Sequence, residues 1–530
     1  MVNILRSSYL TTKFFLFLHP MSKRSATEAV SMSSKNEGQP LSKITSSGLR
    51  RDAPAEDEIG EFEDAWEDEI EEDEDVVDAE ADSKDDGMDI DQVMPAIEES
   101  EEPPAAPDVF IPGKHTLAED EILEPDESVY IMRHTTGVDW PCLSFDTLRD
   151  NLGEERQRFP HTVWIVTGTQ ADLAKNNELI VYKMGSLHKT QKTSDDDDED
   201  EDDEDDDALD EDPIIEFRSI PHLGGVNRIR AQPLPASEPL PPHTQPYHAA
   251  TWAETGNVHI WDLRPLIESL ETPGYSLDKS RSSKPVFTIN AHERTEGFAM
   301  DWASSGSSSL RLLTGDIQSK IFLTTSTVSG FNVLTQPFTS HTSSIEDIQW
   351  SPVEPIIFAS CSSDKTIQIW DVRIKGRQSV AGIDPAHESD VNVISWNKST
   401  SNLLVSGGDE GGIKVWDLRN VKKKGTSSPT PIPIASFDWH KEPITSIEWH
   451  PNDSSTFAAS SADNIVSLWD LAVEQDDDEM NESSTSDVPA QMLFNHHQKD
   501  IKEIHWHPQI SGAIISTGSE GFDVFSTIAT

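Results

Sequence analysis

The chain has 530 residues, of which 97 are acidic and 41 basic, so its formal net charge at pH 7 is −56. Its two cysteines, Cys142 and Cys361, argue against a disulfide-built scaffold and are typical of a reducing compartment. No apolar run approaches the roughly 18 residues that a membrane-spanning helix needs, so no membrane association is expected.

Much of the negative charge lies near the N-terminus, where 26 acids fall between Asp52 and Glu102. Like charges at this density repel one another and bury no apolar surface, so residues 1–109 are predicted to be a disordered acidic region. The apolar run Phe14–Leu18 is shorter than the roughly 7–15 residues of a secretory signal. We interpret residues 1–20 as a dispensable extension ahead of Met21, with a mitochondrial presequence as the alternative.

Short strands begin near residue 128. Ser128–His134 reads as a strand that ends in a histidine, and a further strand starts at Trp140. Two more predicted strands, Glu178–Met184 and Ile214–Ile220, flank a run of thirteen consecutive carboxylates. Residues 185–212 are therefore predicted to form a disordered acidic loop between the third and fourth strands of the first repeat.

The repeat is clearest in three units that begin at His341, His387 and His440. In each, a β-branched residue follows the histidine at +4, isoleucine at +7 and tryptophan at +9, and a Trp-Asp pair at +29. That pair begins at Trp370, Trp416 and Trp469 respectively. Its turns carry acids, including Asp364 and Asp463. This spacing is the signature of a WD-repeat propeller blade.

Three degenerate copies share the template. His222 leads to Trp261-Asp262 after a proline-rich insertion, and His292 precedes Trp302 by one residue more than the template requires. His497 leads the last unit, in which Phe525 takes the place of the tryptophan.

The last unit has no fourth strand, whereas Ser128–His134 is a fourth strand without a unit. We therefore predict that the N-terminal strand completes the last blade, because closure removes the exposed edges of an open sheet. The expected fold is all-β: a seven-bladed WD-repeat β-propeller over residues 110–530.

The repeated histidines, turn aspartates and tryptophans are interpreted as scaffold. A buried histidine that joins a turn aspartate to a hydroxyl and an indole N–H satisfies polar groups within its blade. The residues assigned this role are His134, His222, His292, His341, His387, His440, His497, Asp364, Asp463, Trp261, Trp370, Trp416 and Trp469.

No catalytic arrangement is recognised: the chain has no phosphate loop, no nucleophile elbow and no C-x-x-C pair. His496, His497, His505 and His507 raise the question of a metal site, but the blade pattern accounts for them. The protein is expected to be a binding protein without cofactor, not an enzyme.

The acidic loop is the candidate client-binding site. Its charge repels nucleic acid and attracts basic protein, and it concentrates one sign of charge at one rim. The plain alternative is a solubilising loop. The proposed binding residues are Asp195, Asp196, Asp197, Asp198, Glu199, Asp200, Glu201, Asp202, Asp203, Glu204, Asp205, Asp206 and Asp207.

Four segments carry a more specific resemblance: Trp140–Asp146 (WPCLSFD), Glu296–Trp302 (EGFAMDW), Ser343–Pro352 (SSIEDIQWSP) and Gly521–Phe525 (GFDVF). From about Phe110 to the end, the chain resembles the glutamate-rich WD-repeat family. It is more distantly similar to the retinoblastoma-associated, histone-binding WD proteins.

The resemblance implies a nucleolar factor of large-subunit ribosome assembly, a monomer that escorts a basic ribosomal protein, large-subunit protein number three. Its expected partners are that protein and pre-ribosomal assembly factors, in the nucleus and nucleolus. One alternative is a histone-binding chaperone. Another is a substrate receptor of a cullin ubiquitin ligase, on the basis of three Trp-Asp-x-Arg sequences that end at Arg264, Arg373 and Arg419.

Overall fold

A computed structural model of the protein describes residues 125–190, 212–234, 244–304, 309–421, 431–474 and 488–529. The predicted disordered region 1–109 and the acidic run from Asp195 to Asp207 lie outside these residues.

The described residues form seven four-stranded antiparallel sheets, which we number as blades 1 to 7. Blades 1 to 3 contain β2 (Cys142–Leu148), β3 (His161–Thr169), β4 (Glu178–Leu187) and β5 (Ile214–Pro221); β6 (Val226–Ala231), β7 (His248–Ala253), β8 (Val258–Asp262) and β9 (Phe287–Ile289); and β10 (Gly297–Trp302), β11 (Arg311–Asp316), β12 (Ile321–Thr327) and β13 (Gly330–Val333).

Blades 4 to 7 follow the same plan. They contain β14 (Ile345–Trp350), β15 (Ile357–Ser362), β16 (Ile367–Asp371) and β17 (Ala381–Ile383); β18 (Val391–Trp396), β19 (Leu403–Gly408), β20 (Ile413–Asp417) and β21 (Ala435–Phe437); β22 (Ile444–Trp449), β23 (Thr456–Ser461), β24 (Ile465–Asp470) and β25 (Met492–His497); and β26 (Glu503–Trp506), β27 (Ile514–Thr517), β28 (Gly521–Thr527) and β1 (Tyr130–Gly137).

The all-β, seven-bladed architecture predicted from the repeat spacing is confirmed. Two short helices, α1 (Arg264–Glu271) and α2 (Lys279–Ser282), interrupt blade 2 between β8 and β9. Single 3-10 turns occur at Glu127–Val129, Ala174–Asn176 and Leu418–Asn420.

The hydrophobic core is divided among the blade interfaces. Each of seven clusters of buried residues draws its members from two neighbouring blades. Between blades 5 and 6, for example, Val405 of β19 packs in the same cluster as Ile447 and Phe457. A blade therefore buries its apolar side chains only when both neighbours are present, which makes ring closure a condition for stability.

The ring closes through the N-terminal strand, as predicted. β1 pairs with β28 in antiparallel register, from Tyr130 opposite Thr527 to Gly137 opposite Gly521. Gly521 has a φ of 145°, and a Cβ placed there would lie 1.9 Å from the Thr136 carbonyl oxygen, so only glycine fits at this crossing. The strand starts later than predicted because Asp126 caps a 3-10 turn through the Ser128 N–H.

Two details differ from the sequence prediction. β4 continues to Leu187, so ordered structure extends past residue 185, where the acidic loop was predicted to start. The extra residue after His292 lies in the turn before β10, where Glu293 and Arg294 both adopt positive φ. The turn takes up the insertion, and the strand keeps its length.

Candidate protein-binding site

The polar bridge of a blade is complete in blade 4. The His341 Nδ1–H donates to the Asp364 carboxylate over 2.9 Å, and His341 Nε2 lies 2.8 Å from the Ser360 hydroxyl. The Trp370 indole N–H donates to the same hydroxyl over 2.8 Å. Burial opposes ionisation of Asp364, but the hydrogen bonds from His341 and Thr366 outweigh it and lower the pKa of Asp364.

The other blades vary this bridge. His387 pairs with Glu410 where blade 4 has an aspartate, and Trp416 bonds to Ser406. In blade 6, His440 bonds to Asp463 and to Ser467, which also accepts the Trp469 indole N–H.

Blades 2 and 3 have partial bridges. His222 contacts the Gly224 carbonyl and Thr251, whose hydroxyl also accepts the Trp261 indole N–H. His292 contacts Asp316 and Thr314.

His497 does not occupy the position predicted for it. Its side chain is exposed, whereas the neighbouring His496 is buried. His496 Nε2 lies 3.1 Å from the Asp523 carboxylate, its Nδ1 lies 2.9 Å from the Tyr130 hydroxyl, and its ring stacks on Phe525 at 4.0 Å. The +4, +7 and +9 spacing pointed to the wrong histidine because blade 7 has one extra residue after its histidine, as blade 3 has.

His134 does not form a blade bridge either. It lies within β1 opposite Val524, is partly exposed, and its Nε2 lies 2.9 Å from the His188 carbonyl oxygen. It therefore ties blade 7 to the segment that leaves β4 of blade 1.

A set of side chains on the innermost strands, which the sequence prediction missed, joins each blade to the next. Oxygen atoms of these side chains accept a backbone N–H from the innermost strand of the following blade. The pairs are Ser144 with Ile229, Asp146 with Ala231, Asp301 with Trp350, Asp347 with Ile394, Gln349 with Trp396, Ser395 with Trp449, Glu448 with Trp506, and Glu503 with Phe145. The sequence signal was the polar residue immediately before the strand-end tryptophan in blades 3 to 6.

Glu503 is the centre of a buried ionic network. Its carboxylate lies 2.5 Å from Arg228 and 2.7 Å from Arg230, both from blade 2, so the contact crosses the ring rather than joining neighbours. Burial opposes its ionisation, but the two guanidinium groups hold the pKa of Glu503 well below its usual range. A charge removed from water at this depth is stable only when it is paired.

His505 belongs to the same network. Its Nδ1 lies 3.0 Å from the Glu448 carboxylate of blade 6. Burial disfavours the imidazolium, but Glu448 and Glu503 outweigh it and raise the pKa of His505 to about 9. The prediction treated His505 as an ordinary strand-end residue; its environment makes it a cation at neutral pH.

The described residues that flank the acidic run lie where blade 7 meets blade 1. The Thr190 N–H donates to the Ile131 carbonyl of β1 over 3.0 Å, so the chain leaves β4 along the outer strand of blade 7. It re-enters the described structure as β5, the outermost strand of blade 1, where Ile214 and Phe217 are 55% and 51% exposed. The acidic run is therefore tethered between two outer strands.

The arginines of the three Trp-Asp-x-Arg sequences are not equivalent. Arg264 is buried beneath blade 2. Arg373 and Arg419 are exposed, but each is held by the aspartate two residues before it, with Nη2–Oδ2 distances of 2.7 and 2.6 Å. No common arginine surface results.

Within the described ranges, no group of three or more histidine, cysteine, aspartate or glutamate residues is arranged to hold a metal ion. No helix in that part of the chain is both long and apolar enough to span a membrane.

The blades, their polar bridges and the closing strand define the class: a WD-repeat β-propeller scaffold. Profiles of the WD domain, G-beta repeat, match residues 332–371, 379–417 and 431–470. A profile that describes the histone-binding protein RBBP4 and its counterpart in the CAF1 complex matches residues 120–188.

Full-length relatives define the family. The chain is 43% identical to ribosome assembly protein rrb1 of Schizosaccharomyces pombe over 96% of this chain and 100% of that protein. It is 40% identical to glutamate-rich WD repeat-containing protein 1 of Dictyostelium discoideum over 79% and 84% of the two chains. The chain belongs to this family of glutamate-rich WD-repeat proteins. A histone acetyltransferase type B subunit 2 of Aspergillus fumigatus is 26% identical over 46% of this chain and 53% of that protein.

Proposed function

We propose that the protein is a ribosome-assembly factor that acts without catalysis, as the chaperone and escort of a basic large-subunit ribosomal protein in the nucleus and nucleolus. The observation that carries the proposal is the run of thirteen consecutive carboxylates tethered between β4 and β5. The family relationship to a protein named for ribosome assembly supports it. The proposed client is large-subunit ribosomal protein number three.

Electrostatics explains how such a run serves an escort. A concentrated negative field raises the association rate of a basic protein and screens its charge from RNA. The field decays over a Debye length of about 8 Å at physiological ionic strength, so the capture is local and reversible. Ribosomal RNA, with its higher charge density, then competes for the same basic surface and releases the client.

A histone-binding chaperone is the second candidate. The match of residues 120–188 to the histone-binding profile favours it, because that segment contains β1 to β4 and ends beside the acidic run. Histones are also basic, so electrostatic capture does not separate the two candidates. Co-purification from cells does: ribosomal proteins with assembly factors support the first, and core histones support the second.

The decisive experiment replaces Asp195–Asp207 with a Gly/Ser linker of equal length. The dissociation constant for the ribosomal protein is then measured at two salt concentrations. We expect weaker binding, through slower association, and a shallower dependence on salt. A matched control replaces residues 475–482, a shorter acidic segment between β24 and β25, in the same way and should change little. Unchanged affinity and salt dependence in the first variant would overturn electrostatic capture by this run.

A further inference from the structure

β5 differs from the outer strands of the other blades. It has eight residues, whereas β9, β17 and β21 have three each and β13 has four. Its first four residues, Ile214–Phe217, are all exposed, and three of them are large and apolar. Exposed apolar residues clustered on an edge strand are what proteins usually avoid, so their presence here indicates a binding surface.

The two sides of this edge have different chemistry. Ile215 and Phe217 share one face because side chains alternate along a strand, and the Phe217 ring lies 5.6 Å from the ring of Tyr182. On the other face Glu216 pairs with Lys183 over 3.5 Å. The apolar face is therefore continuous with buried structure.

The second half of β5 is already covered. Arg218 donates to the Ser269 carbonyl of α1, which packs alongside the strand. No further strand pairs with the outer edge of β5 among the residues that the structure describes. The segment Ile214–Phe217 is left open at the end that adjoins the acidic run.

Charge decides what can occupy this edge. Pairing of β5 with β5 of a second copy would bring two runs of thirteen carboxylates together, and the N-terminal region of the same chain carries 26 acids of its own between Asp52 and Glu102. Like-charge juxtaposition opposes both occupants. A basic segment with apolar residues satisfies the strand edge and the neighbouring charge together.

We propose that the exposed half of β5 binds an extended segment of the basic client, which adds to blade 1 as a fifth strand. Apolar side chains of the segment pack on Ile215 and Phe217, and its flanking lysines and arginines face the acidic run. This inference rests on the proposed function. It divides the work between the two neighbours: the acidic run captures, and β5 holds the segment in one register.

The test is a double variant, Ile215→Ser with Phe217→Ser, whose melting temperature is first shown to match that of the unmodified protein within a few °C. Binding of large-subunit ribosomal protein number three should weaken by roughly tenfold or more, mainly through faster dissociation. The matched control, Val286→Ser with Ile434→Ser, removes two exposed apolar residues that immediately precede the outer strands of blades 2 and 5. The control should bind normally.

Poly-L-lysine serves as a purely electrostatic probe. The acidic-run variant should lose affinity for poly-L-lysine and for the ribosomal protein, whereas the β5 variant should lose affinity for the ribosomal protein alone. Equal loss of both probes in the β5 variant, or loss of neither, overturns the assignment of β5. Failure of the unmodified protein to bind the ribosomal protein would instead refute the proposed function itself, and with it this inference.

A measurement on the unmodified protein covers the case in which the double variant does not fold. Hydrogen exchange of the peptide that contains residues 214–217 should slow on addition of the ribosomal protein, because strand addition protects the amides of an edge strand. Exchange that stays unchanged while the complex forms contradicts strand addition.

Discussion

His496 and His497 are adjacent and chemically identical, yet only His496 is buried and hydrogen-bonded. Its two ring nitrogens contact Asp523 of β28 and Tyr130 of β1, so one side chain joins three strands around blade 7. His497, one residue on, points to the other side of β25, because side chains alternate along a strand. A shift of one residue thus separates a structural histidine from a surface one.

The two histidines make a matched pair for mutagenesis. His496→Ala should lower the free energy of unfolding by about 1–3 kcal/mol, because it leaves the buried carboxylate of Asp523 and the Tyr130 hydroxyl without their partner. His497→Ala should change it by less than about 0.5 kcal/mol, as is usual at an exposed position. Urea unfolding of both variants measures the difference. A larger loss in His497→Ala would restore the original spacing-based assignment.

Among the secondary-structure elements, β1 has the largest effect on the rest of the fold. It supplies the fourth strand of blade 7, and its buried residues Tyr130 and Met132 belong to two different core clusters, one on each side of that blade. Without it, β28 becomes an open edge and both interfaces of blade 7 lose part of their apolar surface.

Two truncations test this role. Removal of residues 1–137 should lower the melting temperature by several °C at least and promote aggregation, because two buried side chains and a strand ladder are lost. Removal of residues 1–109 should leave the melting temperature nearly unchanged, since it spares β1. Thermal unfolding followed by circular dichroism compares the two. Equal melting temperatures would show that blade 7 is stable with three strands.

Across the whole molecule, hydrogen bonds between innermost strands pass from blade to blade, and the Glu503 network spans the ring. Arg228 and Arg230 of blade 2 reach Glu503 of blade 7, which also accepts the Phe145 N–H of blade 1. The ring is therefore held by polar contacts at its centre as well as by apolar contacts between its blades.

This network should make stability depend on pH. The pKa of His505 is raised from 6.5 to about 9, so its stabilising contribution is complete below pH 6.5 and is lost as the pH rises through 9. The pKa of Glu448 is lowered from 4.5 to about 2, so its contribution is complete above pH 4.5 and is lost as the pH falls through 2. The groups facing His505 are Glu448, Glu503 and the ring of Phe145.

His505→Gln should therefore destabilise the protein most near pH 6, by at most about 3 kcal/mol, with the loss shrinking by pH 9.5. Urea unfolding at both pH values measures the effect, with His497→Gln as an exposed control. A difference between His505→Gln and the unmodified protein that is constant across this range would show that His505 is neutral throughout.

The sequence by itself determined the fold class, the number of blades and the closing strand. Blade identity rests on local spacing, because the distances from His341 to Ile345, Trp350 and Trp370 are properties of one short segment that folds against itself. The count of strands then required Ser128–His134 to complete blade 7, and β1 does so.

Only the tertiary structure decided which side chains meet across the ring. Glu503 and Arg228 are 275 residues apart, and no local spacing relates them. The choice of His496, the cationic state of His505 and the exposure of Ile215 and Phe217 likewise depend on what lies opposite each residue. Burial and charge pairing are set by neighbours in space, and in a closed ring those neighbours come from distant parts of the chain.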